Sequence, residues 1–158
     1  MAHVHVSLAV HGAVAKEPVH AEALEGGVYR LLYSPGFVVG VAAGDEIELL
    51  DDAGHFRVLR RGGNVAVQLF SRDLVQPFRD ELAAGVRERL RGTLDGGIEH
   101  GLVFTIPLDS GFSAIEELFD TFTRSHPGTE WRYGNVYDPE TGRPLGWWDP
   151  NDRPDGGA

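Results

Sequence analysis

The run Asn64-Val65-Ala66-Val67-Gln68-Leu69-Phe70, followed by Leu74, Phe78, Leu82, Val86 and Leu90 at intervals of four, decides the fold. Its first part places Val65, Val67 and Leu69 on one face, the period of two of a strand. Its second part is the single apolar stripe of an amphipathic helix over residues 73–91. Pro77 lacks a backbone N–H and fits only the first turn of a helix, so the regular start falls at residues 76–78.

Downstream, residues 92–94 and 102–106 flank Asp95-Gly96-Gly97 and read as a hairpin that turns at the glycines. A second helix is predicted over residues 113–124, with Phe112, Ile115, Leu118, Phe119 and Phe122 on one side. Ser113 and Glu116 have the spacing of a capping box. Pro127-Gly128 ends the helix, and residues 130–137 form the last main strand. The order over residues 63–137 is thus β-α-β-β-α-β, a ferredoxin-like pattern with both helices on one face of an antiparallel sheet.

Upstream the chain changes character. Val4, Val6, Leu8 and Val10 alternate with His3, His5, Ser7, Ala9 and His11. Residues 19–24 and 28–33 flank Glu25-Gly26-Gly27, and residues 46–49 and 56–59 flank a Gly-containing turn. Residues 1–62 therefore read as a small β-barrel or rolled sheet. Residues 138–158 hold Trp147 and Trp148 among prolines and glycines. They are expected to form an extra hairpin over residues 136–148, with the two rings on opposite faces, and then a tail from residue 150 onward. The fold class expected is α+β.

Composition narrows function. The chain has no cysteine, which excludes disulfides, thiolate metal sites and cysteine nucleophiles. A net charge of −10 disfavours a nucleic-acid surface and suits a partner with a basic face. The start Met1-Ala2-His3-Val4-His5-Val6 lacks the basic and long apolar regions of a secretion signal, and no stretch is apolar enough to span a bilayer. The expectation is a cytoplasmic protein with no membrane association and no cofactor.

Candidate chemistry is sparse. There is no G-x-S-x-G elbow, P-loop or G-x-G-x-x-G fingerprint, and the serines near residue 113 suit a helix start. An enzymatic role for a carboxylate such as Asp45 beside a histidine has no motif behind it, so the chain is read as not an enzyme. His3 and His5 point to one side of a strand and are the metal-ligand candidates. A third ligand would have to come from His11, His20 or a carboxylate, and a solvated strand face explains the pattern equally well, so no metal is assigned. Asp45, Glu46, Glu48, Asp51 and Asp52 form an acidic run without the D-x-D-x-D-G spacing of a calcium loop. They read as the wet face of an edge strand or as a docking patch, with Trp147 or Trp148 as apolar anchor.

Tyr29-Arg30-Leu31-Leu32, Ser34-Pro35-Gly36-Phe37 and Gly40-Val41-Ala42-Ala43-Gly44-Asp45-Glu46-Ile47 together resemble the core of a family of small bacterial proteins that carry a domain of unknown function. The strand of residues 101–107 and the Trp131-Arg132-Tyr133 strand fit the same pattern. The resemblance brings no catalytic residues. By analogy with small acidic immunity proteins, it implies a binding protein for a basic partner such as a toxin. A small ligand- or metal-binding domain is the alternative.

Overall fold

The computed structural model describes residues 2–98 and 100–149. Among these are two α-helices and nine strands in two antiparallel sheets. The first sheet is a meander of β1 (Ala2–Ala9), β2 (Lys16–Ala23), β3 (Val28–Leu31), β4 (Glu46–Leu49) and β5 (Phe56–Arg60), in that spatial order. The expected barrel does not close. The Ala9 amide donates to the Gly54 carbonyl at 2.9 Å, but β1 and β5 do not pair, so the sheet stays open. The Glu25–Gly27 turn joins β2 to β3 as the glycines require, with Gly26 and Gly27 at φ 72° and 77°.

The second sheet has the order β7 (Thr93–Ile98), β8 (Gly101–Pro107), β6 (Asn64–Ser71) and β9 (Thr129–Tyr133), with α1 (Gln76–Leu90) and α2 (Phe112–Ser125) packed on it. Helix α1 begins where Pro77 allows. Leu82, Val86 and Leu90 are buried, whereas Phe78, at the solvent end of the stripe, is exposed. Ile115, Leu118, Phe119 and Phe122 of α2 meet Val65, Val67, Leu69 and Phe104 in one core. The Phe104 and Phe119 rings meet edge-on at 5.5 Å.

Three local expectations change. Asp95-Gly96-Gly97 lies inside β7 rather than at its turn, with a register shift between Leu94 and Gly96. The Asp95 carboxylate is spent on Ser34, Thr93 and Thr105, which holds the segment in the sheet. The cap of α2 is Gly111, without a side-chain bond, and Glu116 instead accepts from the Tyr133 hydroxyl at 2.8 Å. Strand β9 stops at Tyr133, and the terminal hairpin is reduced to a single bridge between Tyr137 and Pro144. The expected tail from residue 150 lies outside the described residues.

The two sheets have separate apolar clusters. Between them runs a polar seam. Gln68, fully buried on the face of β6 away from the helices, donates to the Pro35 carbonyl and accepts from Arg132. Ser34 and Thr105 hydroxyls meet at 2.6 Å, and the Ser34 amide donates to Asp95 at 2.7 Å. Glu17 accepts the amides of Gly36, Phe37 and Val38, which fixes the loop joining β3 to β4. Among the described residues no buried side-chain nitrogen or oxygen lacks a partner, as a closed polar seam requires. No helix among them is long and apolar enough to cross a membrane.

Candidate functional site

The acidic run divides. Asp45 is fully buried, so it is not a surface residue. Its carboxylate accepts from the amides of Ala42 and Gly62 and from Arg61 Nη1 at 3.2 Å. Burial pushes its carboxyl above the usual range, while Gly62, Arg61 and Ala42 pull it back. Arg61 also donates to the Gly40 carbonyl at 2.7 Å, and its guanidinium stands 5.5 Å from the Trp147 ring. Asp45 and Trp147 are thus joined through Arg61.

Glu46 and Glu48 lie on the outer face of β4. In-register neighbours across the sheet are Glu22, Arg30, Glu46 and Arg60, a ladder of alternating charge. Arg30 bridges Glu22 at 2.9 Å and Glu46 at 3.2 Å, Arg60 approaches Glu46 at 3.6 Å, and Arg57 pairs with Glu48. Their charge is compensated, as cross-strand pairing of opposite signs favours. Asp51 and Asp52 sit in the β4–β5 turn. Asp51 accepts from the His55 ring and amide, and this side-chain bond holds its carboxyl below the ordinary range. Asp52 uses its carbonyl to receive Lys16 Nζ, leaving its carboxylate to solvent.

Trp147 and Trp148 do not lie on opposite faces of a strand. They are the central residues of a turn closed by Asp149 N–H to Gly146 carbonyl at 2.9 Å. Both pack against the helix-covered core: Trp147 Nε1 donates to the Asn135 carbonyl, and Trp148 meets the Phe112 ring at 5.2 Å.

The histidines do converge in part. His5 lies directly opposite His20 in register, and His3 lies two residues along on the same face. Ring centroids are 4.3 Å apart for His5 and His20, 5.0 Å for His3 and His20, and 6.0 Å for His3 and His5. His3 Nε2 and His20 Nδ1 are 2.8 Å apart, and Tyr33 stands edge-on to His20. Partial loss of solvent, then His5 and His3, hold the His20 ring below its ordinary pKa. His11 lies in the loop after β1 and is exposed there. Among the described residues no group of three or more His, Asp or Glu side chains is placed so that it could hold a metal ion.

One feature had no motif to reveal it. A groove of about 780 Å³ is lined by Val10, Val14, Val39, Phe56 and Pro139, with Lys16, His55 and Glu140 among its polar members. It adjoins a second, of about 390 Å³, whose walls include Val39, Trp131, Tyr133, Tyr137 and Pro139. Val39 and Pro139 belong to both. The available signal was an apolar residue in a turn segment, Val14, where a turn needs none.

Comparison with known proteins adds a family and a fold. The family model described as a domain of unknown function, DUF4265, matches residues 17–130. No curated protein matches. The crystal structure of a hypothetical protein from Neisseria gonorrhoeae superposes with a TM-score of 0.64 at 18% identity. The match covers 84% of this chain and 93% of that one, a likeness of fold alone.

Proposed function

The chain belongs to the DUF4265 family, and on that footing we propose that it is a non-enzymatic binding protein whose partner is a protein with a basic surface. The observation that carries this reading is the pair of adjoining grooves sharing Val39 and Pro139, with Glu140 in the lining of the first and Asp138 in that of the second. Asp52 directly precedes Ala53, in the turn that supplies Ala53 and His55 to the lining of the first groove. Asp138 and Glu140 lie on the following segment, one in the lining of each groove. An apolar floor rewards burial, and carboxylates on the rim select a basic partner and speed its encounter. The net charge of −10 acts in the same direction over longer range. A toxin neutralised by an acidic immunity protein is a partner of this kind. The strand order β7-β8-β6-β9 beneath two helices supports reading the second half as ferredoxin-like.

The test is a binding measurement with a partner recovered by cross-linking, at two salt concentrations. Asp52→Lys with Glu140→Lys should slow association severalfold and flatten its salt dependence. Tyr137→Ala should weaken binding by roughly 2 kcal/mol, a hot-spot magnitude, mainly through faster dissociation. Unaltered binding in both variants, with unchanged melting temperatures, removes the grooves as the interface.

A further inference from the structure

We infer that Arg72 and Arg79, with Ser71, form a binding site for one phosphoryl group, carried by inorganic phosphate or a small phosphomonoester, at the end of the second sheet. A cavity of about 130 Å³ opens there, lined in part by Leu69, Ser71, Arg72, Arg79, His100 and Leu102. It shares no lining residue with the two grooves that adjoin at Val39 and Pro139, so it is a separate site. Three chain segments meet at it: the end of β6, the first turn of α1 and the turn between β7 and β8. The Ser71 amide donates to the His100 carbonyl at 2.7 Å, and His100 stands at φ 62°, in the left-handed region that histidine enters more readily than most residues. That bond pins the β7–β8 turn to the end of β6 and sets the walls of the cavity.

Charge is the observation that points to a ligand. Arg30, Arg57, Arg60, Arg61, Arg87 and Arg91 each pair with a carboxylate. The Arg72 and Arg79 side chains have no ion pair and no hydrogen bond with any described residue. No Asp or Glu among the described residues lines the cavity, and the first turn of α1 holds none. The nearest acid along α1, Asp80, accepts from Gln76 Nε2 at 2.8 Å. Arg79 is half-buried, and a Cβ built on Gly97 would stand 2.9 Å from its Nη2. The bare backbone of Gly97 is thus what leaves room for this guanidinium beside β7. In a chain of net charge −10, two guanidiniums without a counter-ion line one small cavity. Repulsion from the remaining charge is screened beyond about 8–10 Å at physiological salt, so the local pair governs what binds.

The chemistry selects the anion. Each guanidinium is a planar fork of N–H donors that meets an oxyanion through two parallel bonds. A carboxylate offers two oxygens and a single charge, which one such fork already satisfies. A phosphoryl group offers three terminal oxygens and close to two charges at neutral pH, which matches two forks. Ser71 Oγ accepts from the Asp73 amide at 3.3 Å, which leaves its hydroxyl proton for a third oxygen. Arg72 is exposed, so it closes over a ligand without repacking the core. The volume holds one such group and little more, so any ester substituent extends into solvent.

The experiment titrates full-length protein at low salt and pH 7.5 with inorganic phosphate, with phosphoserine as the free amino acid, and with acetate. Calorimetry should show saturable binding of one equivalent for phosphate or phosphoserine, the tighter of the two giving the source of the phosphoryl group, and much weaker binding of acetate. The amide resonances of Ser71, Gly97 and Gly101 should shift on titration while that of Gly26 does not. Arg72→Gln and Arg79→Gln should each weaken binding about tenfold or more, as loss of a charge-assisted pair does. Gly97→Ala leaves every charge in place and should weaken binding severalfold by displacing Arg79. Arg124→Gln, on α2 and outside the cavity, should leave it unchanged. Each variant is first checked for the melting temperature of the parent. No saturable binding of either phosphate ligand, acetate bound as tightly as phosphate, or affinity indifferent to both Arg72→Gln and Arg79→Gln overturns the inference.

Discussion

Gly62 lies against Gly44 so closely that a Cβ built on Gly62 would stand 2.5 Å from the Gly44 carbonyl carbon and 2.6 Å from its oxygen. Both neighbours are backbone, which cannot swing aside as a flexible side chain can. This contact brings the Gly62 amide to the Asp45 carboxylate at 2.8 Å and brings the start of β6 against the loop before β4. Gly62→Ala should therefore destabilise the protein by about 1–3 kcal/mol, as overpacking does. Gly96→Ala, with open space around its Cβ and no positive φ, should stay within about 0.5 kcal/mol. Chemical denaturation of the two variants beside the parent checks both.

Asp45 is the centre of the same junction, and its removal should cost more. Asp45→Ala leaves the Ala42 and Gly62 amides without their acceptor and Arg61 with only the Gly40 carbonyl. Removing one partner of a buried ion pair costs about 3–5 kcal/mol. Asp45→Asn retains acceptor geometry and should cost less, because one oxygen remains for an amide while the charge opposite Arg61 is lost. Denaturant midpoints ranked parent, Asn, Ala check the order; a silent Asp45→Ala would contradict it.

The halves of the fold differed in what periodicity could reveal. β6 and α1 were legible because each carries its apolar residues at one period, and Pro77 marks the start. The open edge of the first sheet was not, since a meander and a small barrel have the same alternation and differ only in whether β1 meets β5. Asp95-Gly96-Gly97 carries a turn composition, but its carboxylate is claimed by Ser34, 61 residues away in sequence. The acidic run looked uniform, yet Asp45 turns inward to Arg61 while Glu46 lies on the outer face with Arg30. Only tertiary partners separate them. The His20 side of the histidine cluster depended on register, which His5↔Val19 pairing in place of His5↔His20 would have abolished.

Trp147 and Trp148 should both behave as packing residues. Trp147→Ala loses the bond to the Asn135 carbonyl, the contact with Arg61 and part of the apolar cluster. Full burial would put the loss at about 3–5 kcal/mol, and both rings are only partly buried, so about 2 kcal/mol is expected for each. At roughly 2–4 °C per kcal/mol for a chain of this size, the melting temperature should fall by several degrees in either variant. A Trp148→Ala protein as stable as the parent would return that ring to the surface.

The histidine cluster predicts a pH dependence. His20 has its folded-state pKa lowered by partial loss of solvent and by His5 and His3. A depressed histidine binds fewer protons folded than unfolded, so its contribution is present above about pH 6.5, the unfolded value. It is lost as the pH falls from there through the lower folded value. Melting temperatures of the parent protein at pH 7.5 and 5.5 should differ by more than those of His20→Gln. Equal differences would show that protonation of His20 is not coupled to folding.

Charge reversal on β4 should act on stability before it acts on binding. Glu46 sits between Arg30 and Arg60, at 3.2 and 3.6 Å, and its side chain is only 17% exposed. Glu46→Lys places three cations on adjacent strands in one row, where like charges directly opposite are destabilising. Surface pairs are worth about 0–1 kcal/mol each, so loss of two with repulsion added should cost about 1–2 kcal/mol at low salt. Salt screens the new repulsion, so the deficit should shrink between 0.02 and 0.5 M NaCl, roughly a 20 to 4 Å range of Debye lengths. Arg30→Glu combined with Glu46→Lys restores alternation at that pair and sets Glu22 against Glu in its place. It should therefore recover only part of the loss. Denaturation of the three proteins at two salt concentrations measures this, and a Glu46→Lys variant with parental stability at low salt would mean the ladder of alternating charge contributes nothing to the sheet.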